Sequence, residues 1–141
     1  MRAKGVVTPR SMVAWWMVGL EDAPDRSAEI CVVEVFGDSI EPGSSTSVGM
    51  GLHPFRDLTV ADDFEAVRLP IDIAEFHTYA VDWTPERVDL LIDGEQIRSC
   101  SRPPVYPMQM MIAVFDFPDR STGDDSDAVP ELYVDYLRGY Q

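Results

Sequence analysis

The segment Glu29-Ile30-Cys31-Val32-Val33-Glu34-Val35-Phe36-Gly37 constrains the chain most. β-Branched residues dominate it and a glycine closes it, so it reads as a buried β-strand. Two carboxylates and a thiol interrupt that reading, because acidic side chains are costly to bury unless they are paired or used. Side chains alternate along a strand, so Glu29 and Cys31 share one face while Glu34 falls on the other. One β-bulge between Cys31 and Glu34 brings all three to the same face. The alternative is a regular strand, with Glu34 pointing to solvent and Glu29 at a frayed start.

Elsewhere helical periodicity is scarce. Short apolar runs alternate with Gly, Pro, Asp and Ser clusters, the pattern of an all-β sandwich of two antiparallel sheets. Strands are expected near 12–18, 29–36, 47–53, 63–69, 76–83, 87–92, 95–100, 107–115 and 131–140. Asp93-Gly94 is the clearest hairpin turn, since both residues tolerate positive φ. Loops are expected at 21–27, 43–46 and 120–127. At 141 residues the chain is one domain, spanning 1–141, with room for a single core. Its net charge of −14 argues against nucleic acid or an anionic membrane as partner and fits a neutral glycan better than an acidic one. No run of 18 apolar residues occurs, so no transmembrane helix is expected.

Two carboxylates on one strand are the minimum equipment for glycoside hydrolysis. The segment resembles the Glu-x-Asp-x-x-Glu signature of laminarinase-like glycoside hydrolases of family 16, with Cys31 in place of the Asp. Other segments resemble that family in the same order: the tryptophan-bearing Met12 to Gly19, the Phe76-His77-Thr78-Tyr79 to Trp83-Thr84-Pro85 strand, Pro107 to Met111, and the closing run Val134 to Gln141. The resemblance implies a concanavalin-A-like jelly roll whose concave face holds an open groove. It also implies several strands ahead of Met12 that are not evident here. The chain is then either a partial domain or a shortened sandwich with unpaired edges, and exposed edges invite a homodimer.

By this resemblance Glu29 is the nucleophile and Glu34 the general acid/base of a retaining endo-hydrolase on internal β-linkages, with a β-1,3- or β-1,3/1,4-glucan as default substrate. In such enzymes the two carboxyl groups lie about 5–5.5 Å apart. Cys31 is either a small buried hydrophobe or a thiol acting in the site. The family's Asp tunes its two neighbours; a thiol, with an unperturbed pKa of ~8.5 against ~3.9, carries no such charge there. A carbohydrate-binding sandwich without catalysis, or an inactive remnant, is therefore the alternative function.

Trp15 and Trp16 point to opposite faces, and the resemblance puts Trp16 in the groove, where sugars stack on aromatic rings. His77 is expected either beside the carboxylates or in the core, bonded to a backbone carbonyl. His53 follows Gly49-Met50-Gly51, where missing side chains let a sugar approach the backbone; its other reading is an exposed loop-end histidine. Trp83 is a sugar platform or core, and Asp116 a substrate contact or an exposed residue. Phe115-Asp116-Phe117 replaces small residues and reshapes the groove. Met108, Met110 and Met111 read as core filler.

No zinc, phosphate-loop or dinucleotide motif appears, and no cofactor is expected. Asp119, Asp124, Asp125 and Asp127 offer oxygen ligands for Ca²⁺ without the spacing of a calcium loop, so a solvated acidic loop is the stronger reading. Residues 1–7 hold two basic side chains and no long apolar stretch, so no signal peptide is expected, although the family is usually secreted.

Overall fold

A computed structural model describes residues 1–20, 22–125 and 127–140. The expected loop residues Glu21 and Ser126 and the last residue of the closing run, Gln141, lie outside the described residues. Eleven strands are described: β1 (Arg2–Val6), β2 (Ser11–Gly19), β3 (Glu29–Phe36), β4 (Ile40–Glu41), β5 (Ser45–His53), β6 (Asp63–Leu69), β7 (His77–Trp83), β8 (Arg87–Ile92), β9 (Glu95–Ser101), β10 (Met108–Asp116) and β11 (Glu131–Tyr136). One sheet runs β11-β1-β7-β8-β9. The other runs β10-β2-β3-β5-β4, with β6 also on β5. All pairings are antiparallel.

The core forms where the two-residue period turns apolar side chains inward. From the six-stranded sheet come Val13, Trp15 and Met17 of β2, Ile30, Val32, Val33 and Val35 of β3, and Val48, Met50 and Leu52 of β5. Tyr79, Val88, Leu90 and Ile92 answer from the other sheet. Ile30, Val32, Val35 and Leu90 are fully buried, each contributing roughly 1.5–3 kcal/mol relative to exposure. Asp93 (φ 52°) and Gly94 (φ 83°) form the expected tight turn between β8 and β9.

Three expectations needed correction. A strand, β1, precedes the tryptophan strand; it pairs β11 on one side and β7 on the other, and buries Ala3. The run Arg-Ala-Lys-Gly-Val carries almost no intrinsic strand preference, so only its tertiary partners reveal it. The closing strand ends at Tyr136, and Met110, expected in the core, is exposed. Among the described residues, no helix is long and apolar enough to cross a membrane.

Candidate active site

The pairing of β3 with β5 slips between Cys31 and Glu34. The slip shows in β3 itself, where Val32 and Val33 are consecutive and both buried in the core. Two successive inward side chains reset the alternation, so Glu34 and then Phe36 return to the face that Glu29 and Cys31 occupy. The result is direct: the Cys31 thiol lies 3.8 Å from Glu29 Oε2 and 4.0 Å from Glu34 Oε1. This cluster sits on the outer face of the six-stranded sheet, opposite the core.

Neighbouring strands complete the face by register. Cys31 stands across from Trp16 of β2 on one side and Gly51 of β5 on the other. Glu34 stands across from Ala14 and Gly49, and Glu29 across from Val18 and His53. Trp15 is buried in the core, while Trp16 lies on the face of the carboxylates, where its indole N–H favours the ionised form of Glu29. The Trp16 ring lies 6.1 Å from Phe115, Phe115 stacks on Phe117 at 6.3 Å, and Phe117 on Phe36 at 6.3 Å. The residues expected to reshape the groove thus build an aromatic row beside it. Phe36 was legible in principle, two residues beyond Glu34 on the same face.

Burial raises both carboxyl pKa values above the ordinary range. The charge of His53 acts against this on each of them. For Glu29 the charge of Glu34 adds to the rise, whereas donors from Cys31 and Trp16 favour its ionised form. The Cys31 thiol is pushed far above its usual range, first by burial and then by Glu34 and Glu29. It is a buried thiol wedged between two acids and held in its neutral form.

The histidine beside the carboxylates is His53, not His77. His77 lies on β7 in the opposite sheet, where Nδ1 meets the Asp93 carboxylate at 2.6 Å and Nε2 donates to the Asp72 carbonyl at 3.0 Å. His53 stacks on Phe64 at 4.4 Å and pairs with Asp62 at 3.2 Å. Sequence distance hid this, because the pairing of β3 with β5 decides which histidine arrives. Gly49 lines a cavity beside Glu34, and both glycines are closely approached by β6. A Cβ on Gly49 would meet the Phe64 ring at 2.5 Å, and one on Gly51 the Asp63 carbonyl oxygen at 2.0 Å.

Two further expected contacts lie away from the cluster. Trp83, on β7, is partly exposed and donates its indole N–H to the Pro104 carbonyl at 2.9 Å. Asp116 ends β10 and is held by Arg10 at 2.9 Å. The groove near the carboxylates instead continues past Glu34, Phe36, Ser39, Ser47, Phe64 and Ala66. Asp125 of the acidic loop is buried and accepts a bond from Ser121 at 2.6 Å. Among the described residues, no group of three or more His, Cys, Asp or Glu side chains could hold a metal.

Comparison with known proteins agrees with this architecture. No curated protein matches the chain at a significant level. Among solved structures, the Thermotoga petrophila endo-1,3-β-glucanase (laminarinase) catalytic domain superposes with a TM-score of 0.66 at 18% identity, covering 93% of this chain and 57% of that one. A Bacillus licheniformis β-glucanase gives 0.67 at 18%, covering 93% and 59%. The GlcNAcα1-4Gal-releasing endo-β-galactosidase of Clostridium perfringens gives 0.65 at 22%, covering 80% and 30%. The chain thus spans between about a third and three fifths of these relatives, and the likeness establishes a jelly-roll fold. The family model described as glycosyl hydrolases family 16 matches residues 3–136, and the chain belongs to that family.

Proposed function

We propose that this chain hydrolyses internal β-linkages of a neutral polysaccharide by a retaining double displacement. The observation that carries the proposal is the bulge that sets Glu29, Cys31 and Glu34 on one face, with the thiol touching both carboxylates. Glu29 attacks the anomeric carbon; Glu34 gives its proton to the leaving oxygen, then takes one from the water that releases the sugar. Donors from Trp16 and Cys31 suit Glu29 to the ionised role. Burial, which holds the Glu34 carboxyl above its ordinary range, suits it to the proton-donating role. The substrate proposed is a β-1,3- or β-1,3/1,4-glucan, in keeping with the laminarinase and glucanase relatives. A negative charge of −14 fits a glycan without acidic groups.

Cys31 supports a second reading, glycan binding without catalysis. An aspartate there would raise the pKa of its neighbours by like charge; a neutral thiol does not. The test is a reducing-end assay on β-glucans and galactans, with Glu29→Gln as control. New reducing ends that vanish in the control support hydrolysis. Binding without cleavage by a folded wild-type chain supports the second reading.

A further inference from the structure

Arg98 is a charged side chain on an inward face. It stands across from Leu90 of β8, which is fully buried, so it leaves β9 toward the interior. It crosses to the other sheet and grips the start of β6 with both arms of its guanidinium. One nitrogen donates to the Asp63 carboxylate at 2.5 Å and to the Asp63 carbonyl at 3.3 Å, and the other donates to Glu65 at 3.0 Å. Cys100, two residues on, donates its thiol to that same carbonyl at 3.7 Å. The Arg98 side chain is only 13% exposed. Asp63 and Glu65 stand across from the buried Leu52 and Met50, so both lie on the inner face of β6. Phe64, between them, points outward, and its ring stacks on His53 at 4.4 Å. Asp62, one residue ahead, pairs with the same imidazole at 3.2 Å. Arg98 thus holds the inner face of the start of β6, while His53 leans on its outer face.

We infer that Arg98 is a positioning residue of the site: from the opposite sheet it fixes the start of β6, and β6 fixes His53 beside Glu29. A guanidinium suits the task, because its planar fork holds two acceptors in a set geometry where an ammonium is only a point charge. The charged groups around the imidazole are Glu29 and Glu34 on β3, Asp62 ahead of β6, Asp63 and Glu65 on β6, and Arg98 itself. His53, Asp62, Asp63, Phe64, Glu65 and Arg98 line one hollow of about 430 Å³. Of these groups, His53 is the one whose charge favours ionisation of both glutamates. If the clamp opens, Asp62 and Phe64 lose their places and the imidazole leaves Glu29. The value of Arg98 to catalysis rests on the roles proposed above for Glu29 and Glu34.

Titration of ¹³C-labelled glutamate side chains by NMR tests this and needs no substrate. Glu29 is assigned by the resonance that Glu29→Gln removes. Arg98→Met should move the Glu29 midpoint upward by roughly half a pH unit, because the imidazole charge is no longer held beside it. Arg98→Lys keeps the charge without the fork and should move it less; it carries the test alone if the methionine variant does not fold. In a His53→Gln background neither substitution should move the midpoint further. A midpoint unchanged in every folded Arg98 variant overturns the inference, as does one lowered by water entering beside Glu29. A shift of equal size in the His53→Gln background overturns it too, since Arg98 would then act as a charge through space. A folded chain that cleaves no glucan yet shows the His53-dependent shift counts against the hydrolytic reading and leaves Arg98 in its positioning role.

Discussion

Glu29 of β3 and His53 of β5 are direct cross-strand partners on the outer face of the six-stranded sheet. The charge of the imidazole draws down the pKa of Glu29 and also that of Glu34, one bulge further along. His53 is steadied in turn by Asp62 and by the ring of Phe64. His53 therefore partly balances burial, which still holds both acids above the ordinary carboxylate range.

Replacing His53 with Gln removes that balance. Both carboxyl pKa values should rise, so the acidic limb of the rate profile moves to higher pH and the rate below neutrality falls roughly tenfold or more. A pH–rate profile of His53→Gln beside wild type checks this. His77→Gln, at the opposite sheet, should leave the profile in place.

Glu29→Gln should remove hydrolysis while stabilising the fold. A carboxyl whose pKa is raised on folding holds its proton more tightly folded than unfolded. Its ionised form therefore costs stability as pH rises above the ordinary carboxylate range, and costs nothing below it. Gln keeps an acceptor for Trp16 and Cys31 without the charge. The gain at neutral pH should be about 1 kcal/mol, modest because the carboxyl is half in water. It should disappear at pH values below the unfolded carboxylate pKa. Thermal unfolding at acid and neutral pH decides the sign.

Cys31→Asp should raise activity by at least about tenfold, because a second negative charge beside Glu34 strengthens its hold on the proton it must donate. The same charge is buried between two acids, so the melting temperature should fall. In the unmodified chain Cys31 should resist alkylation at mildly basic pH, its thiol pushed far up by burial and by both glutamates. Cys100, also buried and pushed up to about 11, should resist with it. Rates with iodoacetamide, native against denatured, measure both.

Gly51→Ala should destabilise by roughly 2–4 kcal/mol. Gly51 has φ 137°, and an added Cβ would meet the Asp63 carbonyl oxygen at 2.0 Å. The strain falls on the junction of β5 with β6, beside Cys31. Chemical denaturation should show a lower midpoint with an unchanged slope.

The strand pattern and the bulge were legible because a valine-rich strand with two acids has few ways to place them. Val32-Val33 is the mark of the slip, two inward residues in succession. The tryptophan pair was legible for the same reason, since alternation sends one ring to the core and the other to the face. His53 and His77 were not separable, because strand pairing across 24 residues of sequence, not local pattern, decides which one meets Glu29. Phe64 was equally hidden: it enters only because β6 docks against Gly49 and Gly51. β1 escaped for want of any β-branched or aromatic run, its place fixed by β7 and β11 alone.

The most direct measurement is mass spectrometry of the chain after incubation with a 2-deoxy-2-fluoro-β-glucoside bearing a good leaving group. A double displacement leaves a glycosyl ester on its nucleophile, and the fluorine slows its release. The account predicts one added sugar, located on the peptide containing Glu29 and absent from Glu29→Gln. A folded chain that cleaves glucan yet carries the sugar on Glu34, or on neither glutamate, would contradict it.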